Sequence, residues 1–136
     1  MKIVIAFLLT FSCLANFTGK WNGEGYYQTP KRVGECLEVF MQFEIREDSF
    51  SIIEGGYICG EIQARYPTSR FTISNGNLFY FDEKVGTITN DEINIRYEDG
   101  LFHLSLKKVD GQIIFHESWN DGEDHLIISS KLNLLL

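Results

Sequence analysis

Three Asp-Gly dipeptides, Asp99-Gly100, Asp110-Gly111 and Asp121-Gly122, recur at a spacing of 11 residues. Such a pair favours the type I′ turn, in which both central residues take positive φ, and that turn joins adjacent antiparallel strands. The spacing leaves strands of about eight or nine residues between turns. Asn75-Gly76 is a further signal of this kind, and Asn90-Asp91 is read as another turn. No stretch of comparable length carries a helical period, so the chain is committed to hairpins.

Each turn fixes a register, and the registers can be compared. Centring one hairpin on Asp99-Gly100 sets Tyr97 opposite Phe102, Ile95 opposite Leu104 and Ile93 opposite Leu106. The Asp110-Gly111 hairpin then sets Leu106 opposite Phe115, Leu104 opposite Glu117 and Phe102 opposite Trp119. The Asp121-Gly122 hairpin is read as setting Phe115 opposite Ile128 and Glu117 opposite Leu126. One face of all four strands is apolar, with Glu117 as its exception. The other carries Asn94, Arg96, His103, Ser105, Lys107, His116, Ser118 and His125, which is the face water would see.

Upstream, Leu37, Val39, Met41, Phe43 and Ile45 alternate onto one face, and the segment 50–58 returns from them across Arg46-Glu47-Asp48-Ser49. Short strands are also read at 21–27, 71–73, 78–81 and 85–88, with Arg65 to Ser69 as a loop. The expected fold is all-β, an antiparallel up-and-down meander of about nine or ten strands closing into a small barrel, which leaves no exposed edge. A chain of 136 residues suits a single domain. Its 19 acidic side chains outnumber 12 scattered basic ones, which excludes nucleic acid as a partner.

Met1-Lys2, the apolar run Ile3 to Phe11 and the small residues up to Ala15 read as a secretory signal, residues 1–15, cleaved after Ala15. The run is too short to span a bilayer, which takes about 20 residues. The barrel domain is then residues 16–136, secreted or periplasmic. Lipid modification at Cys13 is the less favoured alternative, because Phe11 stands where a lipobox has a small residue. Two cysteines remain. A two-residue turn at Glu47-Asp48 sets Cys36 opposite Cys59, so a cross-strand disulfide is expected on the face of Glu38, Gln42 and Glu44. Gly55-Gly56 is the place where a bulge would slip that register.

The stretch Gly19-Lys20-Trp21-Asn22-Gly23-Glu24-Gly25 resembles the G-x-W opening of the lipocalin and wider calycin barrels. Its G-x-W-x-G-x-G form is also similar to that of nitrobindin-type haem barrels. The resemblance implies that Trp21 closes one barrel end and that the glycines let the first strand bend. It further implies a basic residue from the last strand across Trp21, for which Lys131 is the candidate, although its neighbours turn it outward. For a haem-binding histidine His116 and His125 are available, but register puts both on the polar face, so no haem or other cofactor is expected.

Glu117 is the residue that stands out chemically. A carboxyl on an apolar face is neutralised, paired, or used to bind a polar group of a ligand. Pairing with a basic residue such as Lys20, or solvation near the barrel mouth, would also accommodate it. His103 and His116 are diagonal neighbours without a third metal ligand, so no metal site is expected. No G-x-S-x-G elbow activates a serine, and no catalytic residues are assigned. The leading expectation is an exported binding protein holding a small apolar or amphipathic ligand against Tyr97, Phe102, Leu104, Phe115 and Trp119, with Glu117 fixing its orientation. The alternative is a filled barrel acting through its acidic exterior, such as an inhibitor of a basic hydrolase.

Overall fold

The computed structural model describes residues 17–136. The segment read as an export signal, with Cys13, lies outside them. The strands are β1 (Gly19–Gln28), β2 (Val33–Arg46), β3 (Ser49–Cys59), β4 (Ile62–Tyr66), β5 (Ser69–Ser74), β6 (Asn77–Tyr80), β7 (Glu83–Ile88), β8 (Glu92–Tyr97), β9 (Phe102–Val109), β10 (Gln112–Asn120) and β11 (His125–Leu134). All pairings are antiparallel; they join neighbours in sequence except that β3 also pairs with β5 and β11 returns to pair with β1.

β4 and β5 are one strand with a break. Gly55 faces Tyr66 and Ile52 faces Ser69, so both halves keep a single register against β3. Pro67 has no N–H to give to the ladder. Beside it the Thr68 hydroxyl donates to the Ile53 carbonyl at 2.9 Å, supplying a hydrogen bond where the ladder is interrupted. The wall is thus a closed barrel of ten strands. The loop expected from Arg65 to Ser69 shrinks to Pro67-Thr68, because Arg65 and Tyr66 belong to β4.

The registers of β8, β9 and β10 follow the turn dipeptides, with Tyr97 opposite Phe102 and Glu117 opposite Leu104. The last hairpin differs. Glu117 faces Ile128 and Phe115 faces Ser130, two positions from the expected partners. The cause is the turn: Asp121 Oδ1 accepts the N–H groups of both Glu123 and Asp124, making a four-residue loop where a two-residue turn was expected. Those same N–H donors hold the Asp121 carboxyl below its ordinary pKa. A slip of two leaves every side chain on its expected face.

Bulges do change faces, and the two in β2 and β3 bear on the expected pairings. Between Gly23↔Val39 and Gly25↔Cys36, β2 has one more residue than β1, and Leu37 turns outward, 79% exposed. Leu37 therefore leaves the inner face on which strict alternation placed it. In β3 the extra residue is Ile53, between Phe43↔Ile52 and Gln42↔Glu54. The bulge thus falls before Gly55-Gly56, not at it. Each bulge reverses the alternation beyond it. Cys36 and Cys59 consequently arrive inside, buried and joined in a disulfide with Cα atoms 3.9 Å apart. The expected pair forms on the opposite face from the expected one.

One end of the barrel is sealed. Phe17 and Trp21 are almost fully buried there, and the Trp21 indole N–H donates to the Phe17 carbonyl at 3.0 Å. A cation does cover the indole, but it is Lys108 of β9, whose ammonium lies 4.8 Å from the ring centroid. Lys131 points outward and is exposed, because its neighbours Ser130 and Leu132 take the inward positions. Gly23 and Gly25 serve a close approach of β1 to β11: a Cβ on either would stand 2.1 or 2.2 Å from a backbone carbonyl oxygen of Lys131 or Ser129.

Candidate functional site

The other end opens into a cavity of about 430 Å³ between β3, β4 and β5 on one side and β8 to β11 on the other. Inward positions at the strand ends build its walls: Tyr66 from β4, Phe71 from β5, Tyr97 from β8, Phe102 from β9, Trp119 from β10 and Leu126 from β11. Aromatic rings run continuously through this wall. Tyr66 meets Phe102 edge-on at 6.3 Å, Phe102 meets Tyr97 at 6.0 Å, and Tyr97 meets Phe71 at 6.3 Å. Phe50 and Phe43 continue the series toward the sealed end. Such pairs hold one another's orientation and add about 0.5–1.5 kcal/mol each beyond area burial.

Glu117 lies in this cavity. Trp119, at the rim, is 36% exposed, and Glu117 is one inward step below it on β10 at 4%. Two residues along a strand span about 7 Å, which sets the carboxyl well beneath the mouth. Leu104 and Ile128 flank it from β9 and β11. Its polar partners come from across the lumen. The Tyr57 hydroxyl donates to Oε2 at 2.7 Å, and the Tyr66 hydroxyl donates to Oε1. Among the described residues no buried side-chain polar atom lacks a partner.

Five of the six residues expected to contact a ligand line the cavity: Tyr97, Phe102, Leu104, Glu117 and Trp119. Phe115 does not. It is fully buried one inward step below Glu117 and belongs to the packed core. The sequence reading missed Tyr57 and Tyr66. Tyr57 follows the β3 bulge, which turns it inward, and Tyr66 falls where a loop was read. Lys20, near the start of β1, is exposed, and Glu117's hydrogen-bond partners are the two phenols.

Burial raises the Glu117 pKa above its ordinary value, while the hydrogen bonds from Tyr66 and Tyr57 and nearby His116 pull it back. Burial and the adjacent carboxyl push both phenols well above the usual tyrosine range, so they remain hydrogen-bond donors. Tyr97 is pushed up to about 12 by burial and by Tyr80. An acid with a raised folded-state pKa contributes its full stabilisation below the unfolded value and loses it as pH rises through the folded value. Glu117→Gln has no such titration. Its unfolding free energy is therefore expected to gain on that of wild type as pH rises above 4.5. Urea unfolding at a series of pH values measures this, and a pH-independent difference would contradict it.

His103 and His116 stay on the outer wall, where His103 contacts Asn94 at 3.2 Å and His116 contacts Ser129 at 3.4 Å. Burial, then Arg96 and His116, lowers the His103 pKa. Among the described residues, no group of three or more His, Cys, Asp and Glu side chains is arranged to hold a metal ion. No described helix is long and apolar enough to cross a membrane. A scan against protein-family models and a search of curated protein sequences both returned no match.

Proposed function

We propose that this protein is an exported, lipocalin-like carrier without catalytic function, holding a small apolar or amphipathic ligand in the open end of its barrel. The observation that carries this reading is the cavity of about 430 Å³, aromatic-walled and floored by a single carboxyl. Ligand sites have this character: concave, mostly apolar, about 300–1,000 Å³, with a few convergent polar groups. A barrel that acted only through its outer surface would have no need to leave this end unfilled. The buried Cys36–Cys59 bond supports export, since disulfides persist in oxidising compartments. The Trp21 closure and the Gly23 and Gly25 approach support the calycin likeness.

The test uses the chain's two tryptophans, Trp21 and Trp119, which stand at opposite ends. Titration with N-phenylnaphthylamine, a neutral apolar dye, is expected to give saturable energy transfer from tryptophan. Most of that signal should be lost in Trp119→Phe and kept in Trp21→Phe. Native mass spectrometry of the purified protein should show a small-molecule adduct that unfolding releases. No saturation together with no adduct would return the reading to a barrel that works through its acidic exterior.

A further inference from the structure

The charges around the cavity are unbalanced. Its charged lining residues are Glu117, Arg65 and Glu98, and the last two are exposed at the rim. Glu117 alone is buried, and the side chains that touch its oxygens are phenols rather than a lysine or arginine. A carboxylate has about four acceptor positions on its two oxygens. Tyr57 and Tyr66 each fill one, on different oxygens, which leaves acceptor capacity on a group that lines the cavity. Two O–H donors aimed at separate oxygens are the arrangement that stabilises the ionised form. With phenols and no cation hydrogen-bonded to its oxygens, that ionised form is expensive in a low-dielectric site.

The walls point the same way. Tyr66, Phe71, Tyr97, Phe102 and Trp119 present aromatic surface around the space above the carboxyl. Aromatic faces attract a cation while also accepting apolar groups. The chain's formal charge of −7 also favours the approach of a cation through solvent. A ligand bearing its own carboxylate would instead set two acids against each other, and one of them would have to take up a proton.

Resting on the carrier reading above, we propose that the ligand is an organic amine, whose ammonium pairs with Glu117 beneath the mouth while its apolar body packs among the aromatic walls. The ammonium supplies the positive charge that Glu117's own hydrogen-bond partners do not bring, and donates to the acceptor positions that the two tyrosines leave open. Ligand and site are then neutral together, whereas a neutral alcohol of the same shape provides one donor and no charge.

The experiment compares three probes of matched shape by calorimetric titration of the intact protein at neutral pH: phenethylamine, phenethyl alcohol and hydrocinnamate. The amine is expected to bind about tenfold or more tightly than the alcohol, with the carboxylate weakest. Glu117→Gln, which keeps the side-chain volume, should remove that preference, so that amine and alcohol bind the variant within a few-fold of each other. The wild-type comparison decides the question even if the variant folds poorly. Equal binding of amine and alcohol, or tightest binding of hydrocinnamate, would overturn the amine assignment and leave the carrier reading standing. Binding of none of the three, with no response to the neutral dye, would remove both.

Discussion

Trp21→Ala is expected to be among the most destabilising single substitutions in this barrel, costing about 3–5 kcal/mol. The indole is 1% exposed, so its removal forfeits transfer energy and leaves a cavity at the sealed end. Its N–H satisfies the Phe17 carbonyl, and its face carries the Lys108 ammonium, so truncation also disturbs two polar partners. For a domain of this size the loss amounts to roughly 10–20 °C in Tm. Trp21→Phe separates the contributions: it retains most of the apolar filling and loses the hydrogen bond, at about 1–3 kcal/mol. Urea unfolding of both variants against wild type makes the measurement. If the two variants were equally mild, the indole would be an ornament of the end cap and not its seal.

The second large effect is expected from the disulfide. Cys36 and Cys59 are separated by 23 positions, and linking them restricts the unfolded chain by roughly 3 kcal/mol. Cys36→Ala with Cys59→Ala should lower the urea midpoint accordingly, and dithiothreitol should do so in wild type but not in the double variant. The effect should also reach the cavity. Tyr57 stands two positions from Cys59 on the same inward face of β3, and it carries one of the two hydrogen bonds to Glu117. The disulfide thus pins the segment that orients the carboxyl from across the lumen. Loss of probe affinity in the double variant, under conditions where it remains folded, would show that coupling. Unchanged affinity would confine the disulfide to stability.

Local turn chemistry made the second half of the barrel legible from sequence. Asp110-Gly111 and Asn75-Gly76 form two-residue turns, and β8 to β10 keep the registers that Asp99-Gly100 and Asp110-Gly111 require, although residues 98–101 make a four-residue connection around Asp99-Gly100. Asp121-Gly122 shows the limit of that reasoning. Its side chain captured two further N–H groups and lengthened the loop, a competition between side chain and backbone that the dipeptide alone does not reveal. Glu117 was found because alternation along one strand suffices to show a carboxyl on an apolar face. Its partners were not, since Tyr57 and Tyr66 are 60 and 51 positions away and meet it across the lumen, where hairpin register carries no information. Tyr57 was hidden a second time by the extra residue at Ile53. The disulfide was legible as a pair but not as a buried one. The β2 and β3 bulges cancel in their effect on which residues meet, yet each still reverses the face.

The pairing of β11 with β1 has a consequence for the order in which the molecule assembles. Ser130 donates to the Glu24 carbonyl at 2.7 Å across 106 positions of chain, whereas most other strand pairs join neighbours along the sequence. Hairpins can form early and independently, since they close short loops, but this seam must wait for both ends of the chain. Until it forms, β1 and β11 each leave a line of unsatisfied amides, and the curved sheet has no inside. The pocket around Glu117 therefore comes into being late, with the act that turns a ribbon into a vessel.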